Sequence, residues 1–62
     1  MNNRFRVYST PGRKTREYTH TNGKLVGKTF SLPEAKRIAD EQPATHTTVV
    51  WDQKYARVVR LV

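Results

Sequence analysis

The chain contains no cysteine. Disulfides and thiolate-held metals are therefore excluded, and a reducing, cytoplasmic setting is the expectation. No stretch approaches the roughly 18 consecutive apolar residues of a membrane span. The opening "MNNRFRVYST" lacks an apolar run of signal-peptide length. Acids are scarce too: five, against twelve lysines and arginines, leave a formal charge of +7 on 62 residues. Such a length predicts a single domain over residues 1–62, with a thin core, because a chain this short buries only about 60% of its unfolded surface.

The charge is unevenly placed. Residues 1–28 hold Arg4, Arg6, Arg13, Lys14, Arg16, Lys24 and Lys28 against the lone Glu17. Residues 29–42 hold Lys36 and Arg37 against Glu34, Asp40 and Glu41, and residues 43–62 hold Lys54, Arg57 and Arg60 against Asp52. A cationic N-terminal half points to a polyanion or an acidic protein surface as partner.

The fold class expected is α+β in the order β-ββ-α-ββ, an antiparallel sheet with one short helix on one face. "RFRVYS" alternates with a period of two, which predicts a half-buried strand ended by Pro11-Gly12. Asn22-Gly23 lies between two runs rich in Thr, Tyr, Val and Phe, a hairpin signature that predicts Thr21 opposite Lys24, Thr19 opposite Val26 and Glu17 opposite Lys28. "FSLPEAKRIADEQP" predicts a helix: Ser31 caps it, Glu34 completes a capping box, Phe30 staples to Ala35, Pro33 sits in the first turn and Pro43 stops it. "THTTVVWDQKYARVVRLV" predicts a second hairpin, with Gln53-Lys54 as its loop, Trp51 beside Ala56 and Val49 beside Val58. The helix is then expected over Phe5, Val7, Val26, Phe30, Val49, Trp51 and Val58, with the opposite sheet face left partly wet.

"GKLVGKT" and "TVVWD" together imitate a nucleotide-binding site, but a phosphate loop needs Gly-x4-Gly-Lys-[Ser/Thr] at the mouth of a helix. Here the glycines are one residue too close, and Asn22 stands where the first glycine belongs. His20 and His46 match no metal spacing with the carboxylates, so neither a metal nor a cofactor is expected. No catalytic grouping stands out, and a domain with so thin a wall is poorly suited to a pocket of catalytic size. The expectation is a non-enzymatic binding domain.

Its leading candidate partner is nucleic acid, DNA or RNA. Arg4, Arg6, Arg13, Lys14, Arg16, Lys24 and Lys28 would meet phosphates, and Tyr8 and Tyr18 would meet bases or sugars. Arg4, Arg6 and Tyr8 share one face of the first strand in this reading, and Arg16, Tyr18 and His20 share one face of the second. Cations displace counterions from phosphates, while rings stack on unpaired bases. A competing reading is a small accessory or inhibitory protein of phage or mobile-element type. It would dock on an acidic host protein through Tyr55, Arg57 and Arg60, because Tyr with Arg is a common hot-spot composition. "RVVRLV" as an open edge strand also allows a homodimer. Trp51 is assigned to core packing.

The stretch "NGKLVGKTFSLPEAKRIADE" resembles the sheet-then-helix pattern of the small DNA-binding domains that precede the catalytic domain in phage integrases. The likeness covers about a third of the chain. It implies a three-stranded sheet entering the major groove with a helix behind it; the second hairpin after the helix is a departure from that pattern.

Overall fold

A computed structural model describes residues 3–59. Strand β1 (Phe5–Pro11) is followed by helix α1 (Arg16–Asn22), strand β2 (Lys24–Thr29), helix α2 (Leu32–Asp40), strand β3 (His46–Asp52) and strand β4 (Arg57–Val59). The four strands form one antiparallel sheet in the order β2-β1-β3-β4. The α+β class is as expected, with two helices and four strands among the described residues rather than one helix and five strands.

β1 forms where the alternation places it, and its alternate side chains Phe5, Val7 and Ser9 are buried. They lie beneath α2, where Phe5, Val7, Val50 and Ala35 make the core and Val26, Leu32, Ile38, Ala39 and Val59 pack around it. α2 begins as its sequence predicts, with the Glu34 amide donating to the Ser31 hydroxyl at 3.4 Å. The reciprocal half of the capping box is absent: the Ser31 amide donates instead to Thr29 Oγ1 at 3.2 Å, and the Glu34 carboxylate pairs with Arg37. Phe30 is 54% exposed, so the expected staple onto Ala35 does not form.

The predicted hairpin through Asn22-Gly23 is replaced by α1. Thr15 caps this helix, its hydroxyl accepting from the Tyr18 amide at 3.0 Å, and Glu17 complements the first turn. Gly23 ends it with φ −72°, an ordinary value, so positive φ is not the reason for glycine here. Space is the reason. A Cβ on Gly23 would lie 2.4 Å from the Thr19 carbonyl oxygen and 3.2 Å from that of Ser9. The chain thus passes from α1 into β2 in close contact with β1, and the expected pairs Thr21–Lys24, Thr19–Val26 and Glu17–Lys28 do not exist. The second glycine of "GKLVGKT" has a packing role as well: a Cβ on Gly27 would meet Ile38 Cδ1 at 2.9 Å. Both glycines serve helix–sheet contact.

The sheet is covered on both faces. Tyr8, Val49 and Trp51 lie on the side away from Phe5, Val7 and Val50, as the pairs Arg6–Trp51, Val7–Val50 and Tyr8–Val49 require. α1 packs on that second face across β1 and β3, where Val49 is 3% exposed and Thr19 is fully buried. Val49, Trp51 and Val58, expected under α2, therefore lie on the opposite face, while Val50 and Val59 take the α2 side. In the last hairpin Trp51 pairs with Val58 and Asp52 with Arg57, so the chain turns over residues 53–56 rather than Gln53-Lys54 alone. That slip of two residues keeps the same side chains together on each face. Ala56 closes the turn at φ +52°, left-handed backbone that disfavours a Cβ.

Candidate nucleic-acid interface

The register assigns a side to each strand cation. Arg6 stands opposite Lys28 on β2 and opposite Trp51 on β3, and Trp51 stands opposite Val58 on β4. Lys28, Arg6, Trp51 and Val58 thus form one row across the sheet on the α1 side. Lys24 is four residues from Lys28 and in a regular strand would share its face. The register between β1 and β2 shifts between Val7 and Tyr8, so Leu25 faces Tyr8 and Lys24 faces Ser9. Val26 is the extra residue of this bulge. Lys24 consequently belongs to the α2 side.

Arg13, Lys14 and Arg16 lie where the chain leaves β1 and enters α1, and all three are exposed. This connection is fixed to the start of β3. The Gly12 amide donates to the Thr45 carbonyl at 3.1 Å, Thr47 Oγ1 donates to the Gly12 carbonyl at 2.7 Å, and the Lys14 amide donates to Thr47 Oγ1 at 3.0 Å. Gly12 adopts φ +81°, a conformation that suits glycine. The Lys14 ammonium lies 5.9 Å from the centre of the Tyr18 ring, and Tyr18 is 45% exposed. On a helix Arg16, Tyr18 and His20 cannot share one face, since residues two apart point about 200° from each other. The structure separates them: Tyr18 is exposed and His20 turns inward.

His20 is the residue whose surroundings the sequence conceals. Its ring stacks on Trp51 with centroids 3.9 Å apart and meets the Tyr8 ring edge-on at 5.3 Å. Trp51 and Tyr8 are half-buried as a result. His46 is remote from this trio and bonds the Ser9 hydroxyl at 3.2 Å.

Arg4 does not join Arg6. Its guanidinium grips the buried Asp52 through Nε at 3.1 Å and Nη2 at 3.0 Å, on the Phe5 side of the strand. That bidentate bond holds the Asp52 carboxyl below the usual aspartate range against the opposing effect of burial, and the Lys54 amide adds to it at 2.9 Å. The ion pair also raises the Arg4 guanidinium above its already high value. Around the exposed Tyr55 ring stand Arg4 at 5.1 Å, Lys54 at 5.4 Å and Arg57 at 5.6 Å. Arg60, the third residue expected at this corner, lies outside the described residues.

Of the nine residues expected to meet nucleic acid, the register places Arg6, Tyr8 and Lys28 on the α1 side, Arg13 and Lys14 lie on the connection into α1, and Arg16 and Tyr18 lie on α1 itself. Arg4 is engaged with Asp52, and Lys24 faces away. Acids divide the other way. The α1 side has Glu17, whereas Glu34, Asp40 and Glu41 belong to α2 and its cap, where Arg37 pairs with both glutamates. Among the described residues the cations Arg6, Arg13, Lys14, Arg16 and Lys28 make no ion pair.

No helix among the described residues is long and apolar enough to cross a membrane. No family model, curated protein or solved structure matches the chain. The likeness to integrase DNA-binding domains also fails on topology, because a helix occupies the place of the strand it requires.

Proposed function

We propose that this protein is a non-catalytic nucleic-acid-binding domain of a reducing, cytoplasmic compartment, and that it binds through its α1 side. The observation that supports this most is the segregation of charge between layers. Among the described residues, five cations without ion pairs and one acid belong to the α1 side and the connection into it, while α2 and its cap carry two cations against three acids and pair Arg37 with two of them. A solvated surface has no need of such sorting, whereas a polyanion responds to it directly. The cations span the length of β1. Arg6 lies near one end and Arg13 just past the other, and the strand from Arg6 to Pro11 alone covers roughly 17 Å at about 3.4 Å per residue, a distance that a strand backbone bridges with several phosphates.

The test is titration of random duplex and single-stranded oligonucleotides across a salt series. Engagement of the five cations gives a log K against log salt slope of about −4.5 on duplex and about −3.5 on single strands. Replacing Arg13, Lys14 and Arg16 together by Gln weakens binding to all sequences alike, because phosphate contacts position without specifying. Absence of binding at about 50 mM salt, where screening is weak, would refute the reading.

A second reading draws support from the Tyr55 corner. An aromatic ring 56% exposed among three cations suits an acidic protein surface. That reading expects stoichiometric capture of an acidic partner, abolished by Tyr55→Ala with oligonucleotide binding intact. β4 is an edge strand, so pairing of two copies there is the corresponding route to a dimer. Sedimentation at two concentrations tests it.

A further inference from the structure

Within the α1 side, one position is built against the folded state's own interest. Arg6 and Lys28 are directly opposite each other on neighbouring strands. Like charges in that relation repel and destabilise a sheet. Arg6 is moreover half-buried, and its Nε is buried with no acceptor in reach. A buried donor without an acceptor is itself unfavourable. Neither cation forms an ion pair among the described residues. Two other arginines do have carboxylate partners: Arg4 has Asp52, and Arg37 has Glu34 and Glu41. The next residue in the row is Trp51, whose ring is backed by His20. Two facing cations, a donor without an acceptor and a braced aromatic wall all suit the same kind of ligand: an anion with several acceptor oxygens.

We propose that Arg6 and Lys28 form a seat for a single phosphodiester group, with Trp51 as the wall against which the attached sugar or base packs. The site rests on the nucleic-acid reading above and places one backbone phosphate within it. On binding, the Arg6 side chain turns its guanidinium out of its buried position, so that Nε and one terminal nitrogen donate in the fork geometry that matches two phosphate oxygens, and Lys28 supplies a point charge from the neighbouring strand. The bound anion cancels the repulsion between the two cations. The seat is therefore a local element whose stability rises when it is filled.

The chain's sole tryptophan, Trp51, reports on the site optically, and the Arg6 Nε–H resonance reports on it directly. The first arm titrates the whole protein with inorganic phosphate against chloride at matched ionic strength. A saturable shift of the Arg6 Nε–H and a change in Trp51 emission with phosphate alone support the seat. A phosphate response no larger than that of chloride overturns it. The second arm measures a short oligothymidylate on wild type, Arg6→Gln, Arg6→Lys and Lys28→Gln. Arg6→Gln and Lys28→Gln each weaken binding on the order of tenfold and reduce the salt slope by about 0.7. Arg6→Lys keeps the charge without the fork and recovers only part of the loss; full recovery would overturn the role given to Nε. Lys28 is exposed on an edge strand, so its variant reads the site even where an Arg6 variant folds poorly. Oligonucleotide binding that is strong yet indifferent to both residues overturns the seat and leaves the broader function standing. A phosphate response without oligonucleotide binding does the reverse.

Discussion

The helix over Phe5, Val7 and Val50 and the helix over Val49 and Trp51 cover two faces of one sheet with different material. α2 brings Leu32, Ala35, Ile38 and Ala39 to its face and closes its outer charges into an Arg37–Glu34–Glu41 network. α1 is seven residues long, with Thr19 as its buried residue, and it holds its place through a histidine ring and the close approach of Gly23 to the Ser9 carbonyl. One layer makes the core, and the other carries an unneutralised surface on a minimal support. A small domain that must bind something charged can divide its two sheet faces in this way without a larger fold.

The sharpest challenge to this division lies at the two glycines. Gly23→Ala drives a Cβ into backbone oxygens of both Thr19 and Ser9, atoms that cannot rotate aside. The loss should reach or exceed the upper end of the about 1–3 kcal/mol typical of overpacking. In a domain whose core supplies only about 3–5 kcal/mol, urea denaturation should find it largely unfolded. Gly27→Ala meets only the end of the Ile38 side chain, which can turn away, so its cost belongs at the lower end, about 1 kcal/mol. Equal effects would mean that α1 is no more rigidly seated than α2.

Acid titration next separates a buried ion pair from an exposed one. The Asp52 carboxyl is held below its unfolded value near 3.9 chiefly by the Arg4 hydrogen bonds. Its contribution to stability is complete above that unfolded value and is lost as pH falls through the lower folded one. The thermal midpoint should accordingly drop as pH descends below about 4, and Asp52→Asn should flatten that dependence. Glu34, lowered by Arg37, contributes in the same direction. It lies on an exposed helix face where solvent screens the pair, so Glu34→Gln should alter the acid limb less.

The smallest effect expected is also the most diagnostic of the two layers. Arg6→Gln removes a like-charge pair and should stabilise the free protein by about half a kcal/mol, while Arg37→Gln breaks an ion network and should destabilise it slightly. Chemical denaturation of the two variants reads this opposition, and oligonucleotide binding should suffer only in the first.

α2 and β1 were legible because each carries its own periodicity and its own stops: Ser31, Pro33 and Pro43 for the helix, alternation and Pro11 for the strand. α1 was not. "REYTHTN" presents no apolar stripe, and Asn22-Gly23 is equally the sign of a tight hairpin. Thr15 as a cap, with Glu17 in the following turn, was the local signal for a helix. What secures α1 is tertiary, namely His20 on Trp51 and the fit of Gly23 against Ser9. The misassigned faces of β3 have the same origin. Val49, Val50 and Trp51 run consecutively, as they do in a strand covered on both sides, and without α1 there was no reason to cover the second. The cations of the candidate site were visible in composition. Their sorting was not, because it depends on which of them find a carboxylate and on the bulge in β2.

That bulge makes β2 a crankshaft: one additional residue rotates the strand by half a turn, so that its first half serves one layer and its second half the other. Pairing Val26 in regular alternation opposite Tyr8 would straighten the shaft and send Lys24 and Leu25 across the sheet. It would load a further positive charge onto the face already crowded with them and carry an apolar side chain toward α2. The register of one short strand, decided at a single bulged residue, thus sets how many charges each side of the molecule presents.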